Sequence, residues 1–100
     1  MTQSTFVLPE AQRDIREAAL WYERREIHLG LRFVREVRSS IRFIEQNPLR
    51  FPIVEQDIRR ALLKSFPYSI YFLKNIEDVA IIAVLHQHRR PGTWRERRFR

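Results

Sequence analysis

Seven consecutive residues, Val79-Ala80-Ile81-Ile82-Ala83-Val84-Leu85, are apolar without interruption. The run is far too short to cross a bilayer as a helix. Its continuous apolar character is that of a central β-strand covered on both faces. It lies at the heart of the stretch from Arg59 to Arg100, around which the rest of the chain is expected to organise. Arg59 to Phe66 reads as a strand of mixed pattern. Pro67 separates it from a second strand, Tyr68 to Leu73, and Asn75-Ile76-Glu77-Asp78 is a turn by composition. Beyond Leu85 the chain leaves through His86, His88, Arg89, Arg90 and Trp94, a cluster of chemically capable side chains at a strand end.

The upstream half supplies a cover. Thr5 to Leu8 is a short strand closed by Pro9, which also suits the first turn of a helix because its missing N–H has no helical partner to lose. Ala11, Ile15, Ala18 and Tyr22 then step by four, three and four along one helical face, with Trp21 on its flank. Glu10 and Asp14 sit near the positive end of that helix dipole and Arg24 and Arg25 near the negative end. After a short hinge, Ile27 to Gly30, a second helix carries Phe33, Val37, Ile41 and Ile44 inward, joined by Val34. Arg32, Arg35, Glu36, Arg38, Arg42 and Glu45 fill its other face, with Arg32 and Glu36 spaced as an i,i+4 pair. Asn47-Pro48 ends it, and Leu49 to Asp57 reads as a loop. So short a link makes the helices an antiparallel hairpin. The expectation is one α+β domain over residues 1–100: an N-terminal strand, an α-hairpin on one face of a largely antiparallel four-stranded sheet, and a basic C-terminal tail.

Charge narrows the partners. The chain carries a net charge of +7 with a pI near 11.0. Residues 1–50 hold nine Lys/Arg against seven Asp/Glu, whereas residues 51–100 hold ten against five. Six arginines and one acid fall in the last fifteen residues. A concentrated basic patch attracts phosphate backbones or an acidic protein, and here Trp94 and Phe99 interleave with the arginines. With no cysteine there is neither a disulfide framework nor a thiolate metal site. The N-terminus lacks the charged start and apolar run of a secretory signal. A soluble cytoplasmic protein is expected.

The candidate chemistry is metal-free. His86 and His88 alternate across Gln87 and share a face if the strand continues. With Arg89 and Arg90 they could hold a phosphate and move a proton near neutral pH. Two histidines at i,i+2 could also ligate a metal, but no acid lies close in sequence and the arginines repel a cation, so no metal and no cofactor is expected. Arg60 and Lys64 fall on one face of their strand with Leu62 between them, and Arg59 and Ala61 on the other. Trp94 either plugs the edge of the core or stacks on a ligand. Arg95, Arg97 and Arg98 join Lys64 and Trp94 as candidate contacts for a target or a nucleic acid.

Taken in order, Pro9-x-Ala11 with Asp14-Ile15, Trp21-Tyr22-Glu23, Leu29-Gly30-x-x-Phe33, Asn47-Pro48-x-x-Phe51-Pro52, Arg59-Arg60-x-Leu62-Leu63-x-x-Phe66-Pro67-Tyr68 and His86-x-x-Arg89-x-Pro91-x-x-Trp94 resemble the RelE/ParE superfamily of bacterial toxins. The resemblance spans nearly the whole chain. It implies a toxin of a type II toxin–antitoxin pair, of the group called plasmid stabilisation proteins, with a sheet packed by an α-hairpin. It also implies one of two activities. RelE-like members cleave mRNA on the ribosome without a metal, using strand-borne basic residues and often a C-terminal tyrosine; ParE-like members poison DNA gyrase. By position, the second-strand basic residue is Arg60 and the residue closing the last strand is His88. The next expected cation falls at Ser69 and the tyrosine at Trp94, neither of which supplies the needed group. The pattern is therefore closer to ParE.

Three functions follow as expectations. The first is a ParE-like toxin acting on gyrase or another protein and neutralised by a cognate acidic antitoxin, which wraps the helical hairpin and the sheet edge as a hetero-oligomer. The second is a ribosome-dependent endoribonuclease using Arg60, His86, His88 and Arg89 or Arg90. The third is a small basic nucleic-acid-binding module using the tail.

Overall fold

The computed structural model describes residues 4–88 together with Trp94 and Arg97. Strand β1 (Ser4–Val7) leads into helices α1 (Pro9–Arg25) and α2 (Leu29–Gln46), and a single 3-10 turn (Pro48–Arg50) follows. Strands β2 (Ile53–Glu55), β3 (Ile58–Leu62), β4 (Tyr68–Lys74) and β5 (Asp78–His86) complete the sheet. The strand order is β1-β5-β4-β3-β2. β1 runs parallel to β5 and the other neighbours are antiparallel. The hairpin-on-sheet α+β class is as the sequence implied, but the sheet has five strands rather than four and is mixed. The fifth strand comes from the segment read as a loop, where Ile53 pairs with Arg59 and Glu55 with Ile58 around a turn at Gln56 with φ 51°.

Local chemistry explains the hairpin. Pro9 occupies the first turn of α1. At the far end, Glu23 turns its carboxylate to the start of α2, accepting from the His28 N–H at 2.9 Å and the Gly30 N–H at 3.0 Å. Those are free donors of a helix start, so one helix caps the next. His28 takes the left-handed conformation at φ 71°. Gly30 sits where the helices meet most closely: a Cβ there would lie 2.4 Å from the Ala19 carbonyl oxygen.

β5 is an inner strand, between β1 and β4, and it contains a β-bulge. Tyr71 pairs with Ala83 and Phe72 with Ile81, so Ile82 is an extra residue. The insertion shifts the alternation by one. Val79, Ile81 and Val84 therefore join the helix-side core with Phe33, Val37 and Ile44. Ala80, Ile82, Ala83 and Leu85 join a second core on the other face, with Ile58 and Trp94. Every residue from Val79 to Leu85 is buried, as a strand with two covered faces requires. On the helix side Tyr22, Phe33, Phe66 and Tyr68 form an aromatic cluster, with Tyr22 and Phe66 centroids 4.8 Å apart and Phe33 and Tyr68 5.0 Å apart.

β3 is shorter than its sequence pattern suggested and stops at Leu62. Leu63 and Phe66 are buried, and the Lys64 and Ser65 N–H groups donate to Glu36 of α2 at 2.7 and 2.9 Å. Glu36 is thus tied to the β3–β4 connection, and the expected Arg32–Glu36 pair does not form.

Candidate functional site at the end of β5

Arg60 lies opposite Tyr71 in the register of β3 and β4, on the face turned away from the helices. It is half-buried, and its Nε has no acceptor. A buried guanidinium nitrogen without a partner is costly, and an incoming anion would relieve it. On the same face Leu62 is exposed, whereas the aromatic neighbours are partly or wholly covered. Trp94 is 5% exposed and packs over Tyr71 with ring centroids 5.5 Å apart. Trp94 therefore plugs the second core rather than offering a free stacking surface. Ser69, paired with Leu62 and Leu85 on the same face, is 2% exposed.

His86 emerges on the other side. It pairs with Tyr68, a helix-side residue, and its ring stands 5.3 Å from the Tyr68 ring. β5 ends there, and Gln87 turns away with its N–H donating to the Pro67 carbonyl at 2.9 Å. The two histidines still meet, because the His88 ring stacks on His86 at 5.1 Å and the His88 N–H donates to His86 Nδ1 at 3.1 Å. An acceptor Nδ1 places the proton of the neutral ring on Nε2. The structure brings His86 and His88 together but puts the sheet between them and Arg60.

Lys64 is exposed in the bend after β3, beside α2 and not on the strand face of Arg60. Arg97 is held firmly: its guanidinium donates to both carboxylate oxygens of Asp14, at 2.6 and 3.2 Å, and to the Ile82 carbonyl at 3.2 Å. Asp14 also accepts the Val84 N–H at 3.0 Å. β1 pairs only as far as Ile81, so these two side chains take the place of a strand on the free edge of β5. Arg89, Arg90, Arg95 and Arg98 lie outside the described residues.

Two grooves flank the hairpin. One, of about 750 Å³, runs between α1 and the end of β5 and is lined by Glu17, Trp21, Tyr22, Arg24, Tyr68 and His86, among others. Trp21 is half-exposed beside it, with the Arg25 guanidinium 4.2 Å above its ring. Burial, and secondarily the neighbouring Tyr68, raise the Tyr22 hydroxyl above its ordinary pKa of 10.0. The second groove, of about 390 Å³, lies between α2 and β3, with Phe43, Phe51 and Leu62 along it. No group of three or more His, Asp or Glu placed to hold a metal ion occurs among the described residues. Nor is any described helix long and apolar enough to cross a membrane.

Sequence reasoning missed Asp14 as an anchor, since its partners lie 70 and 83 residues away. It also left the arginines of α2 without a role, although Arg35, Arg38 and Arg42 recur at helical spacing.

A hairpin of helices over a five-stranded mixed sheet is shared with the solved structure described as the chromosomal ParDE TA system from P. aeruginosa. That chain is 17% identical; the likeness covers 85% of this chain and 96% of that one, with a TM-score of 0.74. No curated protein matches the sequence. Residues 6–91 match the family model of the ParE toxin of type II toxin–antitoxin system, parDE, and the chain belongs to that family.

Proposed function

We propose that this toxin acts in the cytoplasm on DNA gyrase or another protein target, and that a cognate acidic antitoxin neutralises it. The observation that supports this reading is the sheet between Arg60 and His86. A metal-free nuclease depends on a cation and a proton-transfer group meeting at one phosphate, and among the described residues Arg60 and His86 emerge on opposite faces. Ser69, where a further cation is wanted, is a buried hydroxyl, and Trp94, where a tyrosine is wanted, is committed to the core. Both grooves beside the hairpin are lined by apolar and polar side chains together, and a chain of net charge +7 favours an acidic segment that folds as it fills them. The test is a gyrase supercoiling assay with purified toxin, with and without antitoxin. Inhibition that antitoxin reverses is expected; full supercoiling at stoichiometric excess of toxin removes the gyrase target.

One observation favours the ribosome-dependent endoribonuclease, namely the unpartnered Nε of Arg60. Primer extension on translated transcripts after induction separates the two readings. Cleavage that is lost in Arg60→Gln supports the nuclease, and intact transcripts exclude it.

A further inference from the structure

The exposed side of α2 carries four arginines and no free carboxylate. Arg32, Arg35, Arg38 and Arg42 are all exposed. At 100° per residue they fall within about a third of the helix circumference, and they span about 15 Å of its length. None is paired with a carboxylate among the described residues. The helix has two acids, and both are turned elsewhere. Glu36 binds the backbone N–H groups of Lys64 and Ser65, and Glu45 accepts the Thr5 hydroxyl. The result is a rigid row of cations on the layer opposite the Trp94 face of the sheet.

We propose that this ridge binds the phosphate backbone of duplex DNA without reading its sequence, as an activity separate from the contact with the toxin's target. Three features select that partner. A folding acidic peptide draws its affinity from apolar burial, and the arc of the helix that carries the four arginines exposes one large apolar residue, Leu31 at its N-terminal end; Phe43, also exposed, lies on the flank that lines the groove toward β3. Single strands are held by stacked aromatics; of the two aromatics of α2, Phe33 is fully buried, and Phe43, though half-exposed, packs edge-on against Phe51 at the groove toward β3 rather than within the row of arginines. A duplex presents phosphates at fixed spacing, which a stiff row of arginines can meet without reordering, and the guanidinium fork suits phosphate oxygens.

The test is fluorescence anisotropy of the full chain on a labelled duplex of arbitrary sequence, titrated over a range of salt concentrations. The slope of log K against log salt reports released counterions, about 0.9 per phosphate contact. Arg35→Gln/Arg38→Gln/Arg42→Gln should flatten it by about 2 to 3, and contacts made by the basic tail do not obscure that difference. A control of equal charge change, Arg13→Gln/Arg16→Gln/Arg24→Gln, alters exposed residues of α1 interspersed with Glu17 and should leave the slope nearly unchanged. Circular dichroism and urea unfolding confirm that both variants fold. An unchanged slope in the α2 variant, an equal loss in the α1 control, tighter binding to a single strand, or preferential capture of a poly-glutamate peptide would each overturn the proposal.

Discussion

The pair formed by Asp14 and Arg97 should be worth far more than an ordinary surface ion pair. Its side chains are 8% and 16% exposed. Exposed pairs contribute about 0 to 1 kcal/mol, whereas removing one partner of a buried pair costs about 3 to 5 kcal/mol because the other charge is stranded. Arg97→Met keeps the apolar stem but leaves the Asp14 carboxylate with the Val84 N–H and strips the Ile82 carbonyl of its donor. With Arg97 slightly open to solvent, a loss of about 2 to 4 kcal/mol is expected. Asp14→Leu should cost a similar amount, because it frees the guanidinium and orphans the Val84 N–H. The double variant replaces the pair with apolar groups and should be destabilised by clearly less than the sum, giving a coupling energy of about 2 kcal/mol.

Urea unfolding in a Trp21→Phe background makes the measurement local, since Trp94 is then the only tryptophan and reports on the tail. Arg97→Met should also shift Trp94 emission to the red under native conditions, because Arg97, anchored to Asp14 and Ile82, donates its own N–H to the Trp94 carbonyl at 3.1 Å. Hydrogen exchange adds a backbone readout: the Val84 amide should lose protection in Asp14→Leu and keep it in Asp14→Asn, where an acceptor oxygen remains. Additivity of the single variants within about 0.5 kcal/mol would refute the reasoning, because distant or solvated groups behave that way.

Three further outcomes follow from the geometry. Gly30→Ala must separate the helices to clear the Ala19 carbonyl, and should cost about 1 to 3 kcal/mol in urea unfolding, as overpacking does. Glu23→Ala removes the acceptor for two N–H groups at the start of α2, a cap worth about 1 to 2 kcal/mol, with the largest loss of amide protection at His28 and Gly30. The raised Tyr22 pKa means that the folded state keeps this proton after the unfolded chain has begun to lose it. The stability it contributes is full below its ordinary pKa of 10.0 and declines as pH rises through the folded-state value above it, so Tyr22→Phe should flatten the fall in stability on the alkaline side of that value; identical slopes would contradict the shift.

The apolar run Val79 to Leu85 was legible as a covered strand, and the stripes Ala11-Ile15-Ala18-Tyr22 and Phe33-Val37-Ile41-Ile44 as a hairpin. The bulge at Ile82 was not, for a physical reason. A segment that is apolar at every position carries no phase, so a one-residue slip leaves its pattern unchanged. That slip decides which face receives His86, and hence whether His86 and Arg60 converge. Ile53–Glu55 is equally silent: three residues between Pro52 and a tight turn form a strand only because β3 offers an edge. The sites of Asp14 and Glu36 were hidden by distance along the chain, since Glu36 finds its donors 28 and 29 residues away.

Folding also moves the effective charge. By composition the tail is strongly basic and the first fifty residues nearly balanced. In the structure Asp14 neutralises Arg97, which takes one cation out of the tail's contact surface. In the hairpin Glu23 and Glu36 are directed at backbone N–H groups and Glu45 at a hydroxyl, all away from the arginines of α2. Electrostatic attraction falls with distance and with intervening solvent, so a carboxylate spent on the hairpin's inner joints compensates the outer ridge poorly. The carboxylates that stabilise the hairpin are thus the reason its outer side is basic. Structural and recognition roles are linked here through the same few acids: Glu36 must hold Lys64 and Ser65 for the β3–β4 connection to form, and while it does, Arg32 is left for a partner.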